Sequence, residues 1–248
     1  MSKNMLLQLY RAEKMKLRRS PIWLIFLVVP AVPAFLGTMN YLNNVEILTS
    51  QWYSLWTQHT LFTSYFFLPV LLGLYCSYLM WLEKNNHNLT KLLTLPISRK
   101  ELFLAKLLSA GKIIFLTELW IGILFLLSGK IIGMAAEPPL TELFVWCLFG
   151  AVGGLVMEAI QLIISLVCDS FALPVGISFA GGLTGLLAMA KGGYGHIYPY
   201  SLMAYGMVSN NSRQQLTAEG YPQFVLICVW YIVVFTIIGA MIMDKKEV

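Results

Sequence analysis

Charge is scarce in this sequence: only 12% of its 248 residues are Asp, Glu, Lys or Arg, whereas 58% are hydrophobic. A soluble domain has about 25% charged and about 45–50% apolar residues, so water is not this chain's main solvent. Cysteine is sparse as well. Cys76, Cys147, Cys168 and Cys228 fall inside apolar runs and have neither CxxC nor zinc-finger spacing, which suits buried small hydrophobes rather than a metal cage. His59, His87 and His196 lie in three separate connecting segments with no ligand pattern beside them, so no metal site is expected. GxxxxGK[ST], the loop that cradles nucleotide phosphates, is absent. Also missing is the convergent Ser/Lys, paired-acid or His-rich cluster that an intramembrane hydrolase needs. The expectation is a chain with no catalytic site and no cofactor of its own.

What is present are apolar blocks of roughly twenty residues, the length that crosses about 30 Å of hydrocarbon at 1.5 Å per residue. They predict an all-α polytopic membrane protein forming one transmembrane domain over residues 1–248, with spans near 22–42, 61–82, 113–134, 143–168, 172–190 and 224–243. The first block begins at Ile22, shows no obvious small-residue cleavage site and runs past Pro30 and Pro33, so it reads as a retained span rather than a removable signal. Gly176, Gly181, Gly182 and Gly185 weaken the fifth, where a broken or re-entrant helix is an option.

Positive charge is distributed unevenly. Lys3, Arg11, Lys14, Lys16, Arg18 and Arg19 precede the first span; Lys84, Lys91, Arg99, Lys100, Lys106 and Lys112 lie between the second and third; Lys245 and Lys246 follow the sixth. Of the 17 Lys and Arg residues only Lys130, Lys191 and Arg213 remain for the other face. Cationic loops stay in the cytoplasm, so both termini are expected there. The net charge of +5 thus has a topological cause and does not call for a nucleic-acid partner. Residues 1–21 carry Met5, Leu6, Leu9 and Leu17 to one side and Arg11, Lys14 and Arg18 to another, the pattern of an interfacial helix on the inner leaflet; a solvated basic tail that only fixes topology is the alternative.

The segment 83–106 is too long and too patterned for a turn. Leu89, Leu92 and Leu93 keep helical spacing up to Pro96, which lacks an N–H and disfavours helix before it. Ser98 and Glu101 then form a capping box that starts a second helix, with Leu102, Phe103 and Leu107 leading into the third span. Arg99, Lys100 and Lys106 are left available to headgroups or a protein partner. The prediction is a stiff helix-turn-helix elbow on the cytoplasmic surface.

This run, from Glu83 through Asn88, Leu93, Pro96, Ser98 and Arg99 to Lys106, resembles the permease subunits of ABC transporters, and more narrowly the lantibiotic-immunity permeases. Leu89 departs from the pattern, which often has an aromatic residue after the Asn. The resemblance implies that Glu83, Asn88, Leu93, Pro96, Ser98, Arg99 and Lys106 couple the spans to an ATPase. It further implies two copies of an ABC ATPase subunit that bind ATP and Mg2+, a second six-helix permease or a second copy of this chain, an amphiphilic peptide cargo, and a bacterial plasma membrane. A permease for another amphiphile, such as a drug or lipid, would use the same elbow. A secondary transporter would more often show internal repeats and several midplane ionisable groups.

Glu118 and Glu158 fall inside the third and fourth spans, where a carboxylate costs at least a few kcal/mol unless it is paired, protonated or wetted. Glu158, with Gln161 three residues on, is expected to line a substrate path or a subunit interface, or to serve as a structural hydrogen-bonding residue. Glu118 has the same options, or pairs with Lys112 or Lys130 near a boundary. Gly150/Gly154 and Gly181/Gly185 have the small-xxx-small spacing of close helix packing. Residues 191–223 form a longer outer segment with Tyr194, Tyr198, Tyr200, Tyr205 and Tyr221, suited to a membrane interface or to peptide capture; short re-entrant helices fit there.

Overall fold

The computed structural model describes residues 3–85, 88–93, 96–191, 194–209 and 216–245. Its elements are α1 (Lys3–Leu17), α2 (Ile22–Val28), α3 (Ala31–Asn43), α4 (Trp52–Phe62), α5 (Leu68–Lys84), α6 (Asn88–Leu93), α7 (Arg99–Ile131), α8 (Leu140–Val167), α9 (Ala172–Ala190), α10 (Leu202–Gly206) and α11 (Tyr221–Lys245). No strand occurs among the described residues. Among the described residues six helical stretches are long and apolar enough to cross a membrane: α2–α3, α4–α5, α7, α8, α9 and α11 with the short 3-10 turn before it. The all-α, six-span expectation is met.

Several joints follow from the sequence. Pro30 has no N–H to give to the preceding turn and separates α2 from α3. Pro69 acts likewise between α4 and α5, where Thr63–Phe67 opens into one wide π-helical turn. The helical stretch that holds the second span starts at Trp52, ahead of the span limit expected near 61. Its first turns look too polar for a span, yet those groups turn inward: Trp56 stacks on Trp146 at 5.3 Å, and His59 Nε2 lies 2.9 Å from Thr38 Oγ1. The helix that holds the third span likewise starts at Arg99, ahead of the span limit expected near 113, because Ser98 caps one uninterrupted 33-residue helix that joins the elbow to the span.

Helix α8 stands at the centre, packed by α5, α7, α10 and α11. Over a span-length apolar stretch, α8 is 61% buried, whereas the stretch that contains α11 is 17% buried. Helix α11 therefore presents most of its side chains outward, to lipid or to a neighbouring subunit. Helix α10, within residues 191–223, packs onto α8 and is tied to α4 by Trp56 Nε1, which donates to the Met207 carbonyl at 2.7 Å; Leu202, Met203 and Ala204 are wholly buried.

Candidate functional site

The apolar stripe of α1 runs through Leu6, Leu9 and Leu17, and at the stripe position between Leu9 and Leu17 stands a carboxylate, Glu13. Packing of α1 on α7 buries it to 1% exposure. There it meets Lys106, fully buried in α7: Nζ lies 3.1 and 3.2 Å from the two Glu13 oxygens and 2.6 Å from Glu83 Oε1 at the end of α5. Lys16 Nζ lies 2.8 Å from Glu13 Oε1 and also bonds Glu83. Two cations and two carboxylates thus form a neutral quartet joining α1, α5 and α7. The sequence leaves Lys106 available to headgroups or a partner, and the structure corrects this: laying α1 over α7 closes the site, and Glu13 of α1 joins Glu83 of α5 as the counter-charges a buried ammonium requires. Burial alone would lower the pKa of Lys16, but the Glu13 and Glu83 carboxylates outweigh it and raise the group above its ordinary 10.5. Lys16 stays charged through the neutral range.

The elbow hangs from this quartet. Helix α6 begins at Asn88, whose Nδ2 donates to the Leu82 carbonyl at 3.5 Å, and includes Leu93 as its last residue. Thr94 and Leu95, before the exposed Pro96, lie outside the described residues, as do Asn86 and His87. Ser98 Oγ accepts from Glu101 N at 3.3 Å, the serine half of the capping box. Arg99 Nη1 donates to the Asp244 carbonyl at 2.6 Å, tying the start of α7 to the end of α11. Lys84 donates to the Cys168 carbonyl and to Asp169 Oδ1, the latter at 3.2 Å. Both roots of the elbow are therefore held, at one end of the bundle, by α1, by the α8–α9 junction and by α11. Lys100 stays exposed.

Glu118, Glu158 and Gln161 do not belong to this assembly. All three are fully buried in the chain's own core; in this conformation their side chains present no surface to a second subunit. Gln161 Nε2 donates to Tyr200 Oη at 2.8 Å, so the outer segment hydrogen-bonds α8 inside the core. Neither carboxylate has a hydrogen-bond partner among the described residues. The pairing of Glu118 with Lys112 or Lys130 does not form, because both lysines occupy exposed positions of α7 while Glu118 points inward against Gly150.

Sequence reasoning passed over Glu13 and Lys16. The signal was there: Glu13 is the sole acid before Glu46, and it interrupts an apolar stripe, a placement in which a buried carboxylate is favoured by a cation from another helix.

The sequence model of a family described as ABC-2 family transporter protein matches residues 9–185. No curated protein and no solved structure matches the chain. The matched stretch runs from within α1 to within α9 and takes in the whole quartet and elbow. The chain accordingly belongs to the ABC-2 transporter family, as a membrane-spanning permease subunit that works with an ABC ATPase.

Proposed function

We propose that this permease removes antimicrobial peptides of the lantibiotic or bacteriocin type from the bacterial plasma membrane, and that residues 83–106 receive the stroke of the ATPase. The basic end of the bundle faces the cytoplasm in this reading. Two ATPase subunits bind there, and a second, related permease or a second copy of this chain completes the pathway. The observation that carries the coupling role is the quartet. A lever transmits force only if its root is stiff, and Lys106 is clamped between two carboxylates from different helices. Because α7 runs unbroken from the elbow to Ile131, a push on the elbow is delivered along the whole third span. The peptide cargo is supported by the resemblance of the Glu83-to-Lys106 pattern to immunity permeases, and by an outer segment rich in tyrosine that packs onto α8 and α9.

The test is peptide resistance in cells expressing the chain with its ATPase. Replacing Arg99 and Lys100 together by Ala should lower the inhibitory peptide concentration by roughly tenfold, the change expected where about 1.4 kcal/mol of ATPase binding is lost, with membrane levels unchanged; undiminished resistance would overturn the coupling role. Resistance that is the same with and without the chain, while the ATPase still co-purifies, would overturn the cargo and leave the permease.

A further inference from the structure

Between α1 and the first half of α7 lies a cavity of about 540 Å³, within the range of about 300–1,000 Å³ typical of ligand sites. Arg11, Lys14 and Arg18 from α1 and Lys112 from α7 line it. The acid of α1, Glu13, is committed to Lys106 and Lys16 and does not line this space. Four cations thus converge without a carboxylate among the lining residues. Ser109 also lines the cavity; it is 3% exposed, and its Oγ is buried with no hydrogen-bond partner among the described residues. An orphaned hydroxyl beside four cations calls for an acceptor. The remaining wall is apolar, with Trp23 and Ile113 beside the charges. Trp23 is fixed by donation from Nε1 to the Leu17 carbonyl at 2.7 Å, which sets the angle between α1 and the first span.

We propose that this cavity binds the phosphodiester headgroup of an anionic phospholipid of the inner leaflet, the phosphate accepting from Ser109 and the cations while the acyl chains run along Trp23 and Ile113. Basic pockets beside spans on the cytoplasmic side have the chemistry for such headgroups. The lipid would then fill the groove between α1 and α7 and hold α1 down from the side opposite to the quartet, so that elbow stiffness depends on membrane composition. The inference rests on the cytoplasmic placement of α1 proposed above but not on the cargo, and its test reads lipid instead of transport.

The purified chain is placed in nanodiscs or detergent with phosphatidylglycerol, phosphatidylcholine or millimolar inorganic phosphate. Retained lipid is measured by native mass spectrometry, and stability by thermal unfolding. Phosphatidylglycerol should be retained and should raise the unfolding temperature where phosphatidylcholine does not. Each of Arg18→Gln and Lys112→Gln should weaken retention by roughly fivefold, whereas Lys191→Gln, outside the cavity, leaves it unchanged. Lys112→Arg, which keeps the charge on an exposed position, should retain lipid and guards against a mere folding defect. Equal retention of phosphatidylcholine, or full retention by both glutamine variants, overturns the proposal. Stabilisation by inorganic phosphate equal to that by phosphatidylglycerol also overturns it, by assigning the site to a free anion.

Discussion

Glu13 is worth more than its place in a basic N-terminal segment suggests. With Lys106 it closes a contact across 93 residues of sequence, and no local pattern encodes such a distance. Lys106 could be picked out from the elbow motif; its partner could not, because pairing is a property of two helices laid together. Removing one member of a buried, balanced set leaves an uncompensated charge, at about 3–5 kcal/mol. Lys106→Met alone should therefore lower the unfolding temperature of the purified protein sharply. Lys106→Met combined with Glu83→Leu leaves Glu13 and Lys16 as a balanced pair, and should lose less than the single variant in the same thermal scan. A larger loss in the double variant would show that packing and not charge balance governs the site.

At the scale of elements, the six spans were legible because twenty apolar residues in a row have few other uses. Their limits were less so. Trp52 to Thr60 carries Ser, Thr, Gln and His, which a hydropathy count assigns to water; in the folded chain Trp56, His59 and Thr60 are buried because Trp56 Nε1, His59 Nε2 and Thr60 Oγ1 find partners inside the bundle. Helix α10 was anticipated only as a short element somewhere in 191–223, and what seats it is glycine on its neighbour. A Cβ added at Gly153 would come within 2.5 Å of the Leu202 carbonyl group, so Gly153→Ala must push backbone aside. Its expected loss is about 1–3 kcal/mol. Gly176→Ala in α9 meets nothing within 4 Å and should be neutral or slightly stabilising by helix propensity. Thermal unfolding of the two variants side by side distinguishes a packing glycine from an incidental one.

For the molecule as a whole, the lopsided distribution of lysine and arginine predicts sidedness. In a Cys168→Ser background, whose remaining cysteines are buried, Lys100→Cys should react with an impermeant maleimide only in inside-out vesicles, and Lys191→Cys only in intact cells. The reverse pattern would place the elbow outside and remove it from any ATPase. The bond from Arg99 to the Asp244 carbonyl, 145 residues apart, bears on the order of assembly. Gly239 of α11 also receives the Phe103 ring, so close that a Cβ there would lie 2.1 Å from it. Helix α11 leaves the ribosome well after α7 and yet seats its start, and contacts of such long sequence separation form late. A nascent chain halted before α11 therefore carries an elbow that lacks this brace, and the root of α7 is fully seated only once α11 has been made.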